Sequence, residues 1–303
     1  MSTFDAVNSL PDGLISFGPD TNCTLELCPI EVTLLGYRPS LPASSIFIGL
    51  FSAILLVHVV LGIWKRTIGY TSSVACGCIL EIAGYAGRVI LYDDPFDFNG
   101  FIMQIVCITI APLFFCAAIY VLLSQVVIQV DPSLSRFKPS LFYWIFIPCD
   151  IVSLILQATG GALSCLASTQ EDVDIGVKIS LAGLVFQVVC ITFFCGFFAD
   201  YLVLCKKSGA KINQKLKFFL IFLLLSIVFI LIRCVYRIVE LREGYFSEMF
   251  RDEPPFIALE SGIMVAAVLC MAIGHPGFAL KTPQRVKTAR SEETSSASEE
   301  SKN

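Results

Sequence analysis

From residue 43 to residue 274 the chain alternates long apolar runs with short polar breaks. Seven runs stand out, at about 43–64, 68–91, 101–124, 141–164, 177–204, 217–239 and 256–274. A helix needs roughly 20 consecutive apolar residues to cross the hydrocarbon core of a bilayer. Each run therefore predicts one transmembrane helix. The flanks read differently. Residues 1–42 are polar, with no cationic start followed by an apolar stretch, so no cleavable signal peptide is expected and the first span serves as the targeting signal. Ser291–Asn303 is rich in Ser and Glu and nearly free of apolar residues, a composition that cannot bury enough surface to fold. The expected fold is all-α, a polytopic membrane protein of seven transmembrane helices. Its parts are an extracytosolic N-terminal segment (1–42), a seven-helix membrane domain (43–280) and a disordered cytosolic tail (281–303).

Composition agrees. Hydrophobic residues make up 56% of the 303 and charged residues 15%. Soluble domains carry about 45–50% and about 25%. A core cannot hide that much apolar surface, so much of it faces lipid.

Charge sets the orientation. Fourteen basic residues fall on one side of the spans, among them Lys65, Arg66, Arg136, Lys206, Lys207 and Lys217, and only Arg38, Lys178, Arg242 and Arg251 on the other. The basic side faces the cytosol, which puts the N-terminus outside and the C-terminus inside. The acidic clusters Asp93, Asp94, Asp97 and Glu171, Asp172, Asp174 then lie outside. Asn22-Cys23-Thr24 is a glycosylation acceptor that works only on the lumenal side. The Lys206–Lys217 loop can touch anionic membrane lipids, although the positive-inside signal alone accounts for it.

Most of the 13 cysteines lie inside apolar runs, where free Cys acts as a small hydrophobe. Cys23 and Cys28 sit in the polar N-terminal segment and are candidates for a disulfide.

Ionisable residues within the spans are the candidates for function, because a mid-bilayer charge costs about 2.5–3.5 kcal/mol on insertion scales. Span two holds Glu81 and Arg88, seven residues apart and so on one helix face. Span four holds Asp150 and Gln157 at the same spacing, followed by Gly160 and Gly161. Span six holds Arg233, Arg237 and Glu240, and span seven holds Glu260. The two spaced pairs are expected to stand alongside span six. Two readings stand: an ion-pair network that fixes helix register, or a polar cavity for the charged head of a ligand. Gly84, Gly87, Gly160 and Gly161 permit close helix approach, and Pro112 and Pro148 are expected to bend their helices.

Other chemistries find no support. The chain has no phosphate-binding loop, no Gly-x-Ser-x-Gly elbow and only two His, His58 and His275. No catalytic constellation, resident cofactor, metal or nucleic-acid partner is expected.

The same residues carry a resemblance. Glu81-Ile-Ala-Gly-Tyr-Ala-Gly-Arg88 in span two, Cys149-Asp150 through Gln157 to Gly160-Gly161 in span four, Arg233-Cys-Val-Tyr-Arg237-Ile-Val-Glu240 in span six and His275-Pro-Gly-Phe278 after span seven resemble the fungal lipid-translocating exporter family, the RTA-like proteins. The likeness runs from about Tyr37 to Lys281. It implies a seven-span plasma-membrane protein with an outer glycosylated N-terminus that moves or responds to amphipathic molecules, either sphingoid-type lipids or protoporphyrin and haem. It maps Glu81, Arg88, Asp150, Gln157, Arg237, Glu240 and Glu260 onto the family's blocks. The outer loop before span seven departs from the family's acidic–Gly turn. The short inner loop and tail favour the porphyrin-uptake branch. A sphingoid base would need a carboxylate such as Glu81 or Glu260; porphyrin propionates would need Arg88, Arg233 or Arg237. The competing expectation is a seven-helix lipid sensor or receptor that signals through its cytosolic loops and tail.

Overall fold

The computed structural model describes residues 14–16, 18, 21–33, 35–130, 138–166, 170–208, 213–242 and 251–280. The expected disordered tail lies outside them, as do Arg136, Lys211 and the loop residues 243–250. Among the described residues there are seven helices long and apolar enough to cross a membrane and no strand. They are α1 (Leu41–Lys65), α2 (Ile68–Asp93), α3 (Phe98–Val130), α4 (Leu141–Leu166), α5 (Gln170–Lys207), α6 (Gln214–Arg242) and α7 (Glu253–Ala279).

Local signals explain the ends. Ser40 caps α1 by accepting the Ala43 N–H at 3.4 Å, and Pro42 follows in the first turn, where its missing N–H costs nothing. Arg66 closes α1 in the left-handed region at φ 55°, and α2 starts two residues later. Asp94 and Asp97 accept the N–H groups of Phe96 and Asn99 at 3.0 and 2.9 Å, which shapes the tight α2–α3 link.

Two spans outrun the apolar pattern. α3 continues to Val130, past the expected end near 124, and α5 starts at Gln170 instead of near 177. At 1.5 Å per residue the 38-residue α5 is about 57 Å long, nearly twice the hydrocarbon thickness. Glu171, Asp172 and Asp174, expected in a loop, therefore ride on its first turns. Pro112 and Pro148 stay inside continuous α3 and α4.

Consecutive helices pack against one another in order, α7 closes onto α1, and α3 meets α6 across the middle. Burial is least in α1 and α4, whose outward Leu56, Ile63, Val152 and Ile155 stay exposed for lipid. Trp64 and Trp144, 69% and 70% exposed near the basic ends of α1 and α4, suit a membrane–water interface. Inside, Phe194 packs edge-on against Tyr120 at 4.6 Å and against Phe146 at 5.3 Å.

Glycines let two helix pairs touch backbone to backbone. A side chain at Gly87 of α2 would meet the Gly100 carbonyl at 2.7 Å and the Gln104 N–H at 2.8 Å, both on α3. Gly160 of α4 faces Gly176 and Ser180 of α5 in the same way. Gly49 of α1 has open space around it. Gly87→Ala is therefore expected to destabilise the bundle by about 1–3 kcal/mol through overpacking, while Gly49→Ala leaves it unchanged or slightly firmer. Thermal unfolding of the two purified variants checks this; equal melting points would contradict the close α2–α3 approach.

Candidate functional site

The charged positions of α2, α6 and α7 converge in tiers at one end of the bundle. At the rim, Arg88 of α2 is 2% exposed. Its Nη2 donates to Glu253 Oε1 at 2.6 Å and to the Tyr37 hydroxyl at 3.4 Å, and its guanidinium lies 4.5 Å from the Phe256 ring centre. Glu253 Oε1 also accepts the Ser40 N–H at 2.7 Å. One carboxylate thus ties the start of α7 to α2 and to the residue that caps α1.

The N-terminal segment folds over this rim. Cys23 and Cys28 form a disulfide with Cα atoms 5.7 Å apart, and they pack with Val32, Leu14 and Phe96 of the α2–α3 link. Arg251 donates to the carbonyls of Glu31 and Thr33 at 3.0 and 3.2 Å. Burial raises the Tyr37 phenol above its ordinary value, with Arg88 pulling the other way, so this hydroxyl stays a neutral partner.

One turn inward, Arg237 of α6 pairs with Glu240 at 2.6 Å, and Tyr236 donates to the same carboxylate at 3.3 Å. Arg88, Arg237, Glu240, Gln104, Tyr37 and Phe256 share the lining of a cavity of about 20 Å³. That is room for about one water, far below a lipid head or a macrocycle.

Deeper still, Arg233 of α6 forms an ion pair with Glu260 of α7 and donates to the Ile108 carbonyl of α3 at 2.8 Å. Glu260 lies on a π-helical turn, Phe256–Gly262, where the Ile263 N–H reaches back to the Ala258 carbonyl. Such turns are rare and gather at functional sites. Glu81 of α2 stands within electrostatic reach of both Arg233 and Glu260. It is 1% exposed and its Oε1 has no hydrogen-bond partner.

The remaining two positions lie elsewhere. Asp150 of α4 accepts from the Tyr120 hydroxyl of α3 at 2.8 Å. Gln157 donates to Ser153 at 2.9 Å and to Gln187 of α5 at 3.0 Å, so it staples α4 to α5. Their seven-residue spacing gives them one helix face, and that face looks at α3 and α5. Gln157 thus turns to α5, while Asp150 also stands within electrostatic reach of Cys234 on α6. His58 and His275 meet at the opposite end, ring centres 6.2 Å apart. Among the described residues no group of three or more His, Cys, Asp or Glu is placed to hold a metal ion.

A family model described as RTA1-like protein matches residues 74–283. The chain belongs to the RTA1-like family. Among its relatives in Saccharomyces cerevisiae, the sphingoid long-chain base transporter RSB1 is 28% identical, covering 81% of this chain and 74% of the relative. Protoporphyrin uptake protein 1 is 28% identical, covering 65% of this chain and 66% of its own length. Protein RTM1 is 30% identical, covering 65% and 64%. No solved structure matches.

The family model's match, residues 74–283, contains all eight candidate positions, and the alignment to the long-chain base transporter covers more of the chain, 81%. Tyr37 and Ser40 fall outside the family model's match. Glu253, Tyr37, Tyr120 and Gln187 escaped the sequence reading. Glu253 carried the one usable signal, an acid directly before Pro254-Pro255 at the mouth of an apolar run.

The deep pair gives a direct test. Removing one member of a buried ion pair strands the other, at about 3–5 kcal/mol, whereas removing both with apolar replacements is often nearly neutral. Arg233→Met and Glu260→Gln are each expected to lower the melting temperature sharply, and Arg233→Met with Glu260→Leu to recover much of the loss. Additive losses in the double variant would contradict the pairing.

Proposed function

We propose that this RTA1-like chain is a multi-pass transporter that moves an amphipathic molecule with a cationic head, of the long-chain-base kind, across the plasma membrane. It performs no covalent chemistry on that molecule. The observation that carries this reading is the state of the charges. Each of the three guanidiniums, Arg88, Arg233 and Arg237, already faces a carboxylate, while the Glu81 carboxyl has no ion-pair partner among the described residues. An ammonium head finds an acceptor there; propionates would have to break an existing pair. The longer alignment with a relative named as a sphingoid long-chain base transporter supports the same choice. The branch favoured by the short loop and tail, porphyrin uptake, is thereby the weaker one.

The rim cavity of about 20 Å³ is too small for a head group, and Glu81 is 1% exposed, so a head group enters only when helices part. The π-helical turn Phe256–Gly262 supplies a point of give in α7. α6 and α7 separate there from α2 and α3, the head reaches Glu81, and the tail follows along lipid-facing grooves. The orientation is part of the proposal. The basic residues stay inside, and the disulfide-bearing segment and the exposed Asn22, as a glycan acceptor, lie outside.

Flux into sealed proteoliposomes tests the substrate class. A labelled long-chain base is expected to cross faster than in empty vesicles and protoporphyrin is not. Glu81→Gln should slow the base at least about tenfold, equivalent to about 1.4 kcal/mol. Flux of the porphyrin alone would overturn the cationic reading, and flux of neither would favour the sensor alternative. For orientation, Asn22→Gln is expected to abolish a glycosidase-sensitive shift in gel mobility. A wild-type chain without that shift, combined with cytosolic protection of the first 40 residues, would reverse the topology.

A further inference from the structure

The charged tiers hold one carboxylate more than they have guanidiniums to face. Glu253, Glu240 and Glu260 answer Arg88, Arg237 and Arg233. Glu81 is the fourth. The charged or titratable groups facing it are Arg233 from α6 and Glu260 from α7, with Cys107 from α3 and Cys78 and Tyr85 from α2 itself. α1 carries His58, which packs beside Tyr70, about three turns from Glu81 along α2, and Lys65 in its last turn, further still. The one cation in this set turns its Nη2 to Glu260 and the Ile108 carbonyl, and its buried Nε makes no hydrogen bond to Glu81. An ionised Glu81 would therefore sit dry beside a second carboxylate, within reach of Arg233 but with no hydrogen-bond donor on its Oε1. Buried acids escape that cost by remaining protonated.

We propose that Glu81 holds the exchangeable proton of the transport cycle, which makes the chain a proton–amine exchanger. This rests on the cationic-head reading above. In the closed state the neutral acid needs no counter-ion. When the tiers open and an ammonium head arrives, the O–H bond of Glu81 breaks and its proton passes to water on the open side. The carboxylate then pairs with the ammonium. One positive charge leaves as another enters, so the layer carries the same net charge empty and loaded. When the head departs, water on that side returns a proton, and the bundle closes again over a neutral acid. Arg233 has a positioning part: held by Glu260 and Ile108, it makes no hydrogen bond to Glu81 Oε1. A proton gradient then drives the amine in the opposite direction.

Two measurements on the purified full-length chain test this. The first is infrared difference spectroscopy of the ligand-free protein, wild type against Glu81→Gln, in the carboxylic-acid C=O region. A band present in the wild type, absent in Glu81→Gln and shifted in Glu81→Asp is expected. The second is proton release into weakly buffered detergent on addition of a C18 long-chain base, with binding followed separately by thermal shift. The wild type should release close to one proton per bound base, with affinity rising about tenfold per pH unit while Glu81 remains protonated, and Glu81→Gln should release none. Equal acid bands in wild type and Glu81→Gln would overturn the proposal, and so would base binding without proton release. If no base binds, the cationic-head reading fails. The infrared band still decides on the proton: its presence supports a proton held at Glu81, and its absence overturns it.

Discussion

Arg233 cannot shed its charge, and at 4% exposure it cannot reach water. Whatever packs around it has to bring an acceptor. α7 brings Glu260 and α3 brings the Ile108 carbonyl, so three helices meet on one guanidinium. Their arrangement then dictates the rest. α7 approaches α6 closely enough to present Glu260 on its π-helical turn, and the start of α7 is left at the rim, where Glu253 can clasp Arg88. With each guanidinium answered, Glu81 is the acid left over in these tiers, while Asp150 is held apart by Tyr120. The polar tiers are therefore better understood as one balanced set than as a scatter of polar residues. A change at Arg233 acts on Glu81 through the partner it releases.

The clasp at the rim has a different make-up from the tiers beneath it. Ser40 and Tyr37, which hold Glu253 and Arg88 in place, precede residue 74, where the RTA1-like region begins. The deep charges lie inside that region. Arg251 secures the N-terminal segment through two backbone carbonyls, and the Cys23–Cys28 link keeps that segment compact over the α2–α3 turn. The Arg88–Glu253 pair therefore joins α2 to α7 at this end.

The seven spans were legible in the sequence because lipid demands long apolar runs, and such runs are visible without any partner. The placing of Glu81, Arg233 and Glu260 within the spans was legible for a related reason: charge inside such a run stands out. Partners were not. Helical spacing put Glu81 and Arg88 on one face, yet Arg88 answers Glu253, a residue beyond the expected start of the last span. Asp150 and Gln157 share a face too, and that face packs on α3 and α5, where Tyr120 and Gln187 wait. Spacing tells which residues look the same way; the neighbour they look at depends on how the ring of helices closes. The π-helical turn and the overlong α3 and α5 were equally hidden, since polar first turns such as Glu171 to Asp174 read as loop until the helix is seen to continue through them.

The central claim is that the spare acid, not a guanidinium, receives the cargo. A structure of the chain with a bound long-chain base addresses it most directly. The account predicts the ammonium nitrogen at about 3 Å from a Glu81 carboxylate oxygen, with Arg233 still on Glu260 and α7 displaced at its π-helical turn. A head group seated instead against Arg88 and Arg237, with Glu81 still buried and untouched, would contradict it.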